Sequence, residues 1–342
     1  MKRPLILITM GDPAGVGPEV VLKALVSGEI GGVALPIVVG DKGILEKTAK
    51  TLGLPVRVKQ IGSPEEAGPH TGTIQVLSLS DLSDGISPGE PSAEGGKAAY
   101  TYIVSSTELI LEGRADALVT APVNKEVISL SGYPFSGHTE LLAELSGTRE
   151  FAMMLVGPKL KVCLVTTHIP LSDVPAALSI EGILSKASLT ERALKDLFGI
   201  GNPRIALCSL NPHGGEGGRM GREEAEILDP AIGEAKRKGL SLEGPFPPDS
   251  LFFWAAQGKW DAVLALYHDQ GLIPFKLLHF HEGVNLTLGL PFVRTSPDHG
   301  TAYDIAGKGL ANPRSMIEAI RLAVRLATGR AAGTFTPPSL SP

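Results

Sequence analysis

Short apolar runs alternate along this chain with longer segments in which apolar residues recur every three or four positions. The runs at 5–9, 33–39, 56–60, 74–79, 117–120, 151–156, 162–166, 204–209, 262–266 and 284–288 predict β-strands. The amphipathic segments at 18–25, 95–111, 139–145, 180–197, 223–238, 249–256 and 315–328 predict helices. Strands that are apolar throughout, rather than on alternate residues, suit a sheet buried on both faces. Their alternation with helices therefore predicts a mainly parallel α/β fold. The 41 glycines and 27 prolines concentrate between these elements, no fixed-period repeat is present, and the Pro/Ser-rich end at 334–342 is expected to be disordered.

In open α/β sheets, ligands bind beyond the carboxyl ends of the strands, and the unusual polar residues fall there. His168, His213 and His268 each follow an apolar run closely, in VCLVTTHIP, ALCSLNPHGGEGG and VLALYHDQG. A single histidine so placed is more often a hydrogen-bonding residue at a strand end than a ligand. Three in the same placement raise a second reading, a shared divalent-metal site with an open position that could polarise a substrate hydroxyl. HGGEGG after His213 is too glycine-rich for regular structure, so its backbone either approaches a ligand closely or forms a plain flexible loop.

His138 and Thr139 open the predicted helix of SGHTELLAEL, whose free N–H groups and dipole favour an anion. An ordinary helix capped by Ser136 or Thr139 is the alternative. Lys276, Asn285 and Arg294 lie in a stretch with few other cations. Asn285 and Arg294 interrupt apolar segments, where a buried amide or charge needs a partner. A phosphate or carboxylate would supply one, and so would a structural salt bridge.

Two glycine-rich segments remain. GDPAGVGPEV, at 11–20, follows the first strand and runs into a helix with Pro18 early in it. It is not G-x-G-x-x-G, and without a following Gly-Lys-Ser/Thr it is not a P-loop; no Rossmann fingerprint occurs elsewhere. DHGTAYDIAGKGLANP, at 298–313, gathers small residues, hydroxyls and carboxylates suited to a nucleotide's ribose and adenine, with His299, Gly300, Thr301, Asp304 and Asn312 as candidate contacts.

Composition narrows the class. A chain of 342 residues suits two domains, and 43% hydrophobic content allows a sizeable core. A net charge of −5 without long basic stretches argues against a nucleic-acid partner, although a local Lys, Arg and His cluster can still bind an anionic small molecule. Cys163 and Cys208 sit in apolar runs and read as buried, reduced strand residues of a cytoplasmic protein. The opening MKRPLILITMGDPAG has the basic tip of a signal peptide, but its apolar run of about six residues is too short for one. No apolar stretch approaches the ~20 residues of a membrane span.

With these segments in view, the chain resembles a known family. GDPAGVGPEV is similar to the opening of the isocitrate and isopropylmalate dehydrogenases, and DHGTAYDIAGKGLANP resembles the adenosine-binding loop of that superfamily. SGHTE, TTHIPL, LNPHGGEGG, YHDQGLIPFK and GVNLTLGLPFVRTSPDHGTA together resemble, more specifically, the 4-hydroxythreonine-4-phosphate dehydrogenase family of pyridoxal phosphate biosynthesis, over residues 6–327. The resemblance implies two α/β/α lobes around a cleft, in a homodimer with its active site at the subunit interface. It implies that His168, His213 and His268 bind a divalent cation (Zn, Mg or Co). His138, Thr139, Lys276, Asn285 and Arg294 would bind the phosphorylated substrate. NAD is the implied oxidant, with NADP open. The lobes are expected at 1–128 with 270–334 and at 129–269, ahead of a disordered tail at 335–342. The pattern of the family is intact at all these positions, and three histidines in place of acidic metal ligands disfavour an isocitrate-type substrate.

The implied reaction oxidises 4-phosphooxy-L-threonine to 2-amino-3-oxo-4-phosphooxybutanoate, a β-keto acid that loses carbon dioxide to give 3-amino-2-oxopropyl phosphate. Asp249, in PPDSLF at a helix start, Lys276 and His138 are the candidate bases. A sister dehydrogenase of a phosphorylated sugar acid, 4-phosphoerythronate or 4-phosphothreonate, would share the same metal and phosphate residues. A phosphate acyltransferase on the same fold needs neither three histidines nor a nucleotide loop. A metal-dependent hydrolase would leave NADH absorbance unchanged.

Overall fold

The structure is a computed structural model that describes residues 3–69, 72–133, 135 and 137–332. Its strands are β1 (Leu5–Thr9), β2 (Leu35–Asp41), β3 (Arg57–Gln60), β4 (Thr73–Ser80), β5 (Ala117–Thr120), β6 (Ala152–Val156), β7 (Lys161–Leu164), β8 (Ile205–Cys208), β9 (Leu242–Phe246), β10 (Ala262–Ala265), β11 (Val284–Leu288) and β12 (Val293–Pro297). Its helices are α1 (Gly17–Val26), α2 (Lys42–Thr51), α3 (Ala93–Leu111), α4 (Lys125–Leu130), α5 (His138–Leu145), α6 (Val174–Ala177), α7 (Ile180–Asp196), α8 (Asp229–Arg237), α9 (Pro248–Ala256), α10 (His268–His279) and α11 (Arg314–Ala332).

The chain divides into two compact units. The first comprises the residues up to Arg149 together with Leu290–Ala332, and the second is Glu150–Gly289. The boundaries expected at 128 and 269 therefore lie about 20 residues too early. The reason is strand pairing. β6 pairs antiparallel with both β7 and β11, so the chain completes α5 before entering the second unit and completes β11 before leaving it. His138 and Thr139 thus belong to the first unit, and Lys276 and Asn285 to the second. The tail expected at 335–342 lies outside the described residues.

In the first unit the strand order is β3-β4-β2-β1-β5-β12, and every neighbouring pair is parallel. Ile6, Leu7, Ile8, Ile37, Val38, Val39, Leu118 and Val119 are fully buried, as expected of strands covered on both faces. Asp41 caps α2, accepting from Ile44 N at 2.9 Å, and Ser92 caps α3 through Gly95 N at 3.1 Å. In the second unit the order is β11-β6-β7-β10-β8-β9, parallel from β7 through β9. Its core gathers Leu155, Val162, Leu164, Val263, Phe252 and Phe275. Cys163 and Cys208 are buried and free, as their apolar surroundings predict. Among the described residues no helix is long and apolar enough to cross a membrane.

The helix predicted at 223–238 is two pieces, a π-helical turn at Glu224–Leu228 followed by α8. Pro230 sits in the first turn of α8, where its missing N–H is tolerated. The helix α10 carries Pro274 in its interior, which is why sequence periodicity passes over it.

Candidate active site

The second unit sets β7, β10 and β8 side by side and parallel, so their carboxyl ends share one edge of the sheet. His168 comes four residues after Leu164, His268 three after Ala265, and His213 five after Cys208. Two exits are tied together. Val165 N donates to Ala265 O at 2.8 Å, and Thr166 donates to Leu266 O from N at 3.1 Å and from Oγ1 at 2.7 Å. Two residues beyond that tie, the rings of His168 and His268 stand with centroids 5.6 Å apart. Gln270, buried in the first turn of α10, accepts from Leu266 N at 2.7 Å and donates to Ser209 O at 2.8 Å. It thereby fastens the exit of β10 to the exit of β8.

The His213 loop is neither regular nor loose. The buried Glu224 carboxylate accepts from Leu210 N (2.9 Å), Asn211 N (2.8 Å) and Asn211 Nδ2 (2.8 Å). Gly214, Gly215, Gly217 and Gly218 all have left-handed φ, between 68° and 93°. His213 (φ 53°) and Glu216 (φ 45°) share that conformation, which costs a residue with a side chain roughly 1–2 kcal/mol. His213 Nδ1 lies 3.0 Å from Glu216 Oε1. That carboxylate, with a smaller contribution from Asp249, raises the His213 pKa. His268 Nδ1 lies 2.7 Å from Asp269 Oδ1. The donor types suit a divalent cation, and the His168–His268 pair is formed. The ring of His213 is turned to Glu216, and among the described residues no group of three or more His, Cys, Asp or Glu is assembled to hold a metal.

Of the remaining second-unit candidates, Asp249 is exposed at the start of α9, with Oδ1 accepting from Ser250 N at 2.9 Å. Lys276 is half-buried on α10. Asn285, on β11, has an Oδ1 that is sealed from solvent and has no hydrogen-bond partner.

The anion candidates of the first unit converge on the start of α5. Its N-cap is Gly137, with no side chain capping the helix. Thr139 is therefore the second helical residue rather than the cap, and Ser136 lies outside the described residues. Arg294 projects from β12 with only 2% of its surface exposed and donates to Thr120 Oγ1 from Nε at 3.1 Å and from Nη2. Burial lowers its pKa to about 10, against the pull of Glu140. His138 is half-buried, but its Nε2 is sealed and unpartnered. Burial, together with Arg294 and Lys125, holds its pKa well below 6.5, so the ring is neutral. Lys125 is absent from the sequence candidates. The one local signal is Asn124, which caps α4 by accepting from Glu126 N and Val127 N and so fixes where Lys125 starts.

The two glycine-rich segments, far apart in sequence, form one construction. Val16 N donates to Thr301 O at 2.9 Å, and Tyr303 Oη donates to Asp12 Oδ2 at 2.5 Å. Burial pushes the Asp12 carboxyl pKa up, against the hydrogen bond from Tyr303. Glu19, fully buried on α1, accepts from Gly309 N at 3.2 Å and Ala311 N at 2.9 Å. Lys23 bridges it to Gly309 O and Ala311 O at 2.8 and 2.9 Å. Gly15 allows the two segments to meet, because a Cβ there would lie 3.0 Å from Thr301 O. Gly300 and Asp304 are exposed, Thr301 is buried, and His299 Nδ1 lies 3.1 Å from Gly300 O. Asn312 Oδ1 accepts from Arg314 N at 2.9 Å, so it serves the start of α11 as well.

Two mostly parallel α/β units with polar groups at their strand ends place the chain among α/β enzymes. The family model of the pyridoxal phosphate biosynthetic protein PdxA matches residues 32–323. The chain belongs to that family and is an oxidoreductase of the PdxA type. It is 48% identical over 328 residues to the 4-hydroxythreonine-4-phosphate dehydrogenase of Desulforapulum autotrophicum, covering 96% of each chain. It is 46% identical over 331 residues to the D-threonate 4-phosphate dehydrogenase of Cupriavidus necator, covering 96% of this chain and 98% of that one. A crystal structure of 4-hydroxythreonine-4-phosphate dehydrogenase from Klebsiella pneumoniae is similar at a TM-score of 0.87 and 42% identity, covering 95% of this chain and 99% of that one.

Proposed function

We propose that this chain oxidises 4-phosphooxy-L-threonine with NAD and a divalent cation in pyridoxal 5'-phosphate biosynthesis. The observation that carries the reading is the placement of His168, His213 and His268 on the exits of three adjacent parallel strands, two of their rings 5.6 Å apart. These histidines would hold Zn, Mg or Co, whose chemistry is to lower the pKa of a substrate hydroxyl.

Asp249 is the base we favour, because it is exposed and its charge acts on His213. His138, kept neutral between cations, suits donation to the substrate phosphate better than proton abstraction. Thr139, Arg294, Lys276 and Asn285 complete the substrate contacts, and His299, Gly300, Thr301, Asp304 and Asn312 take the nucleotide. Asp249 would take the hydroxyl proton, and bound NAD would supply the acceptor for the hydride of the same carbon. The product, 2-amino-3-oxo-4-phosphooxybutanoate, then releases carbon dioxide and becomes 3-amino-2-oxopropyl phosphate. The enzyme acts as a cytoplasmic homodimer with its site at the subunit interface. A row of exposed apolar side chains supports the dimer: Ile273 (66%), Leu277 (84%) and, just beyond α10, Phe280 (69%).

The relative named D-threonate 4-phosphate dehydrogenase, of similar identity, favours a second reading in which the substrate is a phosphorylated sugar acid. One assay separates them. NADH formation is followed with 4-phosphooxy-L-threonine, 4-phosphothreonate and 4-phosphoerythronate, each with NAD or NADP and with or without chelator. Preference for the amino acid, lost on chelation, is the expected result. Preference for a sugar acid transfers the chemistry to the second reading, and no reduction with any substrate overturns both.

A further inference from the structure

Two cations, Arg294 and Lys125, act on His138 at the start of α5. The first N–H groups of this eight-residue helix have no side-chain acceptor, and they form its electropositive end. The buried guanidinium of Arg294 acts on His138 and is itself acted on by Glu140, which places it at this helix start. Lys125 is a further cation there: a Cβ placed on Gly137 would lie 3.3 Å from both its Cε and its Nζ. Its position is set by the fold, since Asn124 caps α4 and Val127 O lies directly over Gly96 of α3. Among the described residues Lys125 forms no ion pair, although Glu140 also approaches Gly137. Two cations at the positive end of a helix repel both it and each other. His138 Nε2 beside them is a buried polar atom with no hydrogen-bond partner.

We propose that Lys125 is a ligand of the substrate's phosphoryl group and supplies a positive charge beside Arg294 at the start of α5. The proposal rests on the anion role given above to α5 and Arg294. A phosphoryl group carries about −1.5 to −2 charges at neutral pH. Arg294 offsets one of them, and Glu140 works against the balance. With Glu140 counted, Arg294 alone leaves the subsite near neutral, and Lys125 makes it net positive. Lys125 therefore shifts the subsite toward phosphorylated substrates.

The test uses the full chain with Lys125→Met, Lys125→Arg and Arg294→Ala, and inorganic phosphate as the calorimetric probe. Lys125→Met is expected to weaken phosphate binding and raise the KM for the phosphorylated substrate about tenfold or more, the effect of one charge-assisted hydrogen bond. The KM for NAD stays within about twofold, and Lys125→Arg restores most of the phosphate affinity. In phosphate-free buffer the Tm of Lys125→Met equals or exceeds that of the unaltered protein, because a repulsion is removed. Unchanged phosphate affinity in Lys125→Met, with a loss in Arg294→Ala, overturns the role of Lys125 and leaves the α5 subsite standing. Equal rises in KM for both substrates also overturn it. Unchanged phosphate affinity in both Lys125→Met and Arg294→Ala removes the anion subsite altogether.

Discussion

His168 and His268 face each other at 5.6 Å because the strands that deliver them, β7 and β10, are hydrogen-bonded neighbours whose exits are tied through Thr166 and Leu266. The pair is therefore built by main-chain register. A cation that binds only the folded state stabilises it by mass action, by about 2.7 kcal/mol at a free concentration 100 times Kd. Added Zn, Mg or Co should raise the Tm of the unaltered protein. His168→Ala and His268→Ala should lose that rise while keeping their metal-free Tm, since neither ring belongs to the core. Scanning calorimetry with and without each metal checks this, and a full metal-induced rise in either variant would exclude that histidine as a ligand.

Gln270 should matter to the metal without touching it. Its amide is the link between the exits of β10 and β8, and both of its partners are main-chain groups. Gln270→Ala leaves Leu266 N–H and Ser209 C=O without that partner, at about 1–3 kcal/mol for each buried group. Urea denaturation should show the loss in a lower midpoint at unchanged m. Metal affinity, measured well below the transition, should fall as well. A variant of reduced stability but unaltered metal affinity would confine Gln270 to the fold.

How much of this was legible follows from the range over which each signal acts. β1, β5 and β11 have the bounds that their apolar runs predict, because a strand buried on both faces writes its own limits. β12 is missed because VRTSP is mostly polar, though all five residues are buried. α10 is missed because Pro274 and Gly271 argue against a helix. Gly271 is there for packing, since a Cβ would press on Val162 and Leu164. The three histidines could be read as strand-exit residues because each lies within five positions of its strand. Lys125 beside Gly137, Asp12 under Tyr303 and Gln270 between two strand exits are tertiary meetings that no local pattern records. The engagement of His213 by Glu216 is local, but it depends on a left-handed turn that residue spacing does not reveal.

The loop at 298–313, proposed to take the nucleotide, should depend on a residue outside it. Glu19 accepts from two main-chain N–H groups of the loop and pairs with Lys23 at 2.7 Å while 1% exposed. Removing one partner of a buried pair costs about 3–5 kcal/mol. Glu19→Ala should lose stability on that scale and raise the KM for NAD well beyond that for the phosphorylated substrate. Tyr303→Phe, which deletes only the donor to Asp12, should cost about 1 kcal/mol and act in the same direction. Steady-state kinetics with each substrate varied in turn checks both variants. Equal changes in the two KM values would detach the loop from nucleotide binding.

His138 should leave a signature in the pH dependence of stability. In the folded protein burial, Arg294 and Lys125 hold its pKa well below 6.5, whereas in the unfolded chain it titrates near that value. Below pH 6.5 the unfolded state therefore binds a proton that the native state refuses. Native stability falls as the pH drops from there toward the folded pKa, and above that window His138 contributes nothing. The slope for one proton is at most about 1.4 kcal/mol per pH unit. His213, whose pKa is raised, acts with the opposite sign, but it is present in both proteins and cancels in their difference. Urea denaturation at intervals between about pH 7.5 and 5 should show the unaltered protein losing stability more steeply than His138→Gln, with parallel behaviour above about pH 7. Equal slopes throughout would mean that the native protein accepts a proton on His138, and the neutral donor assigned to the anion site would be lost with it.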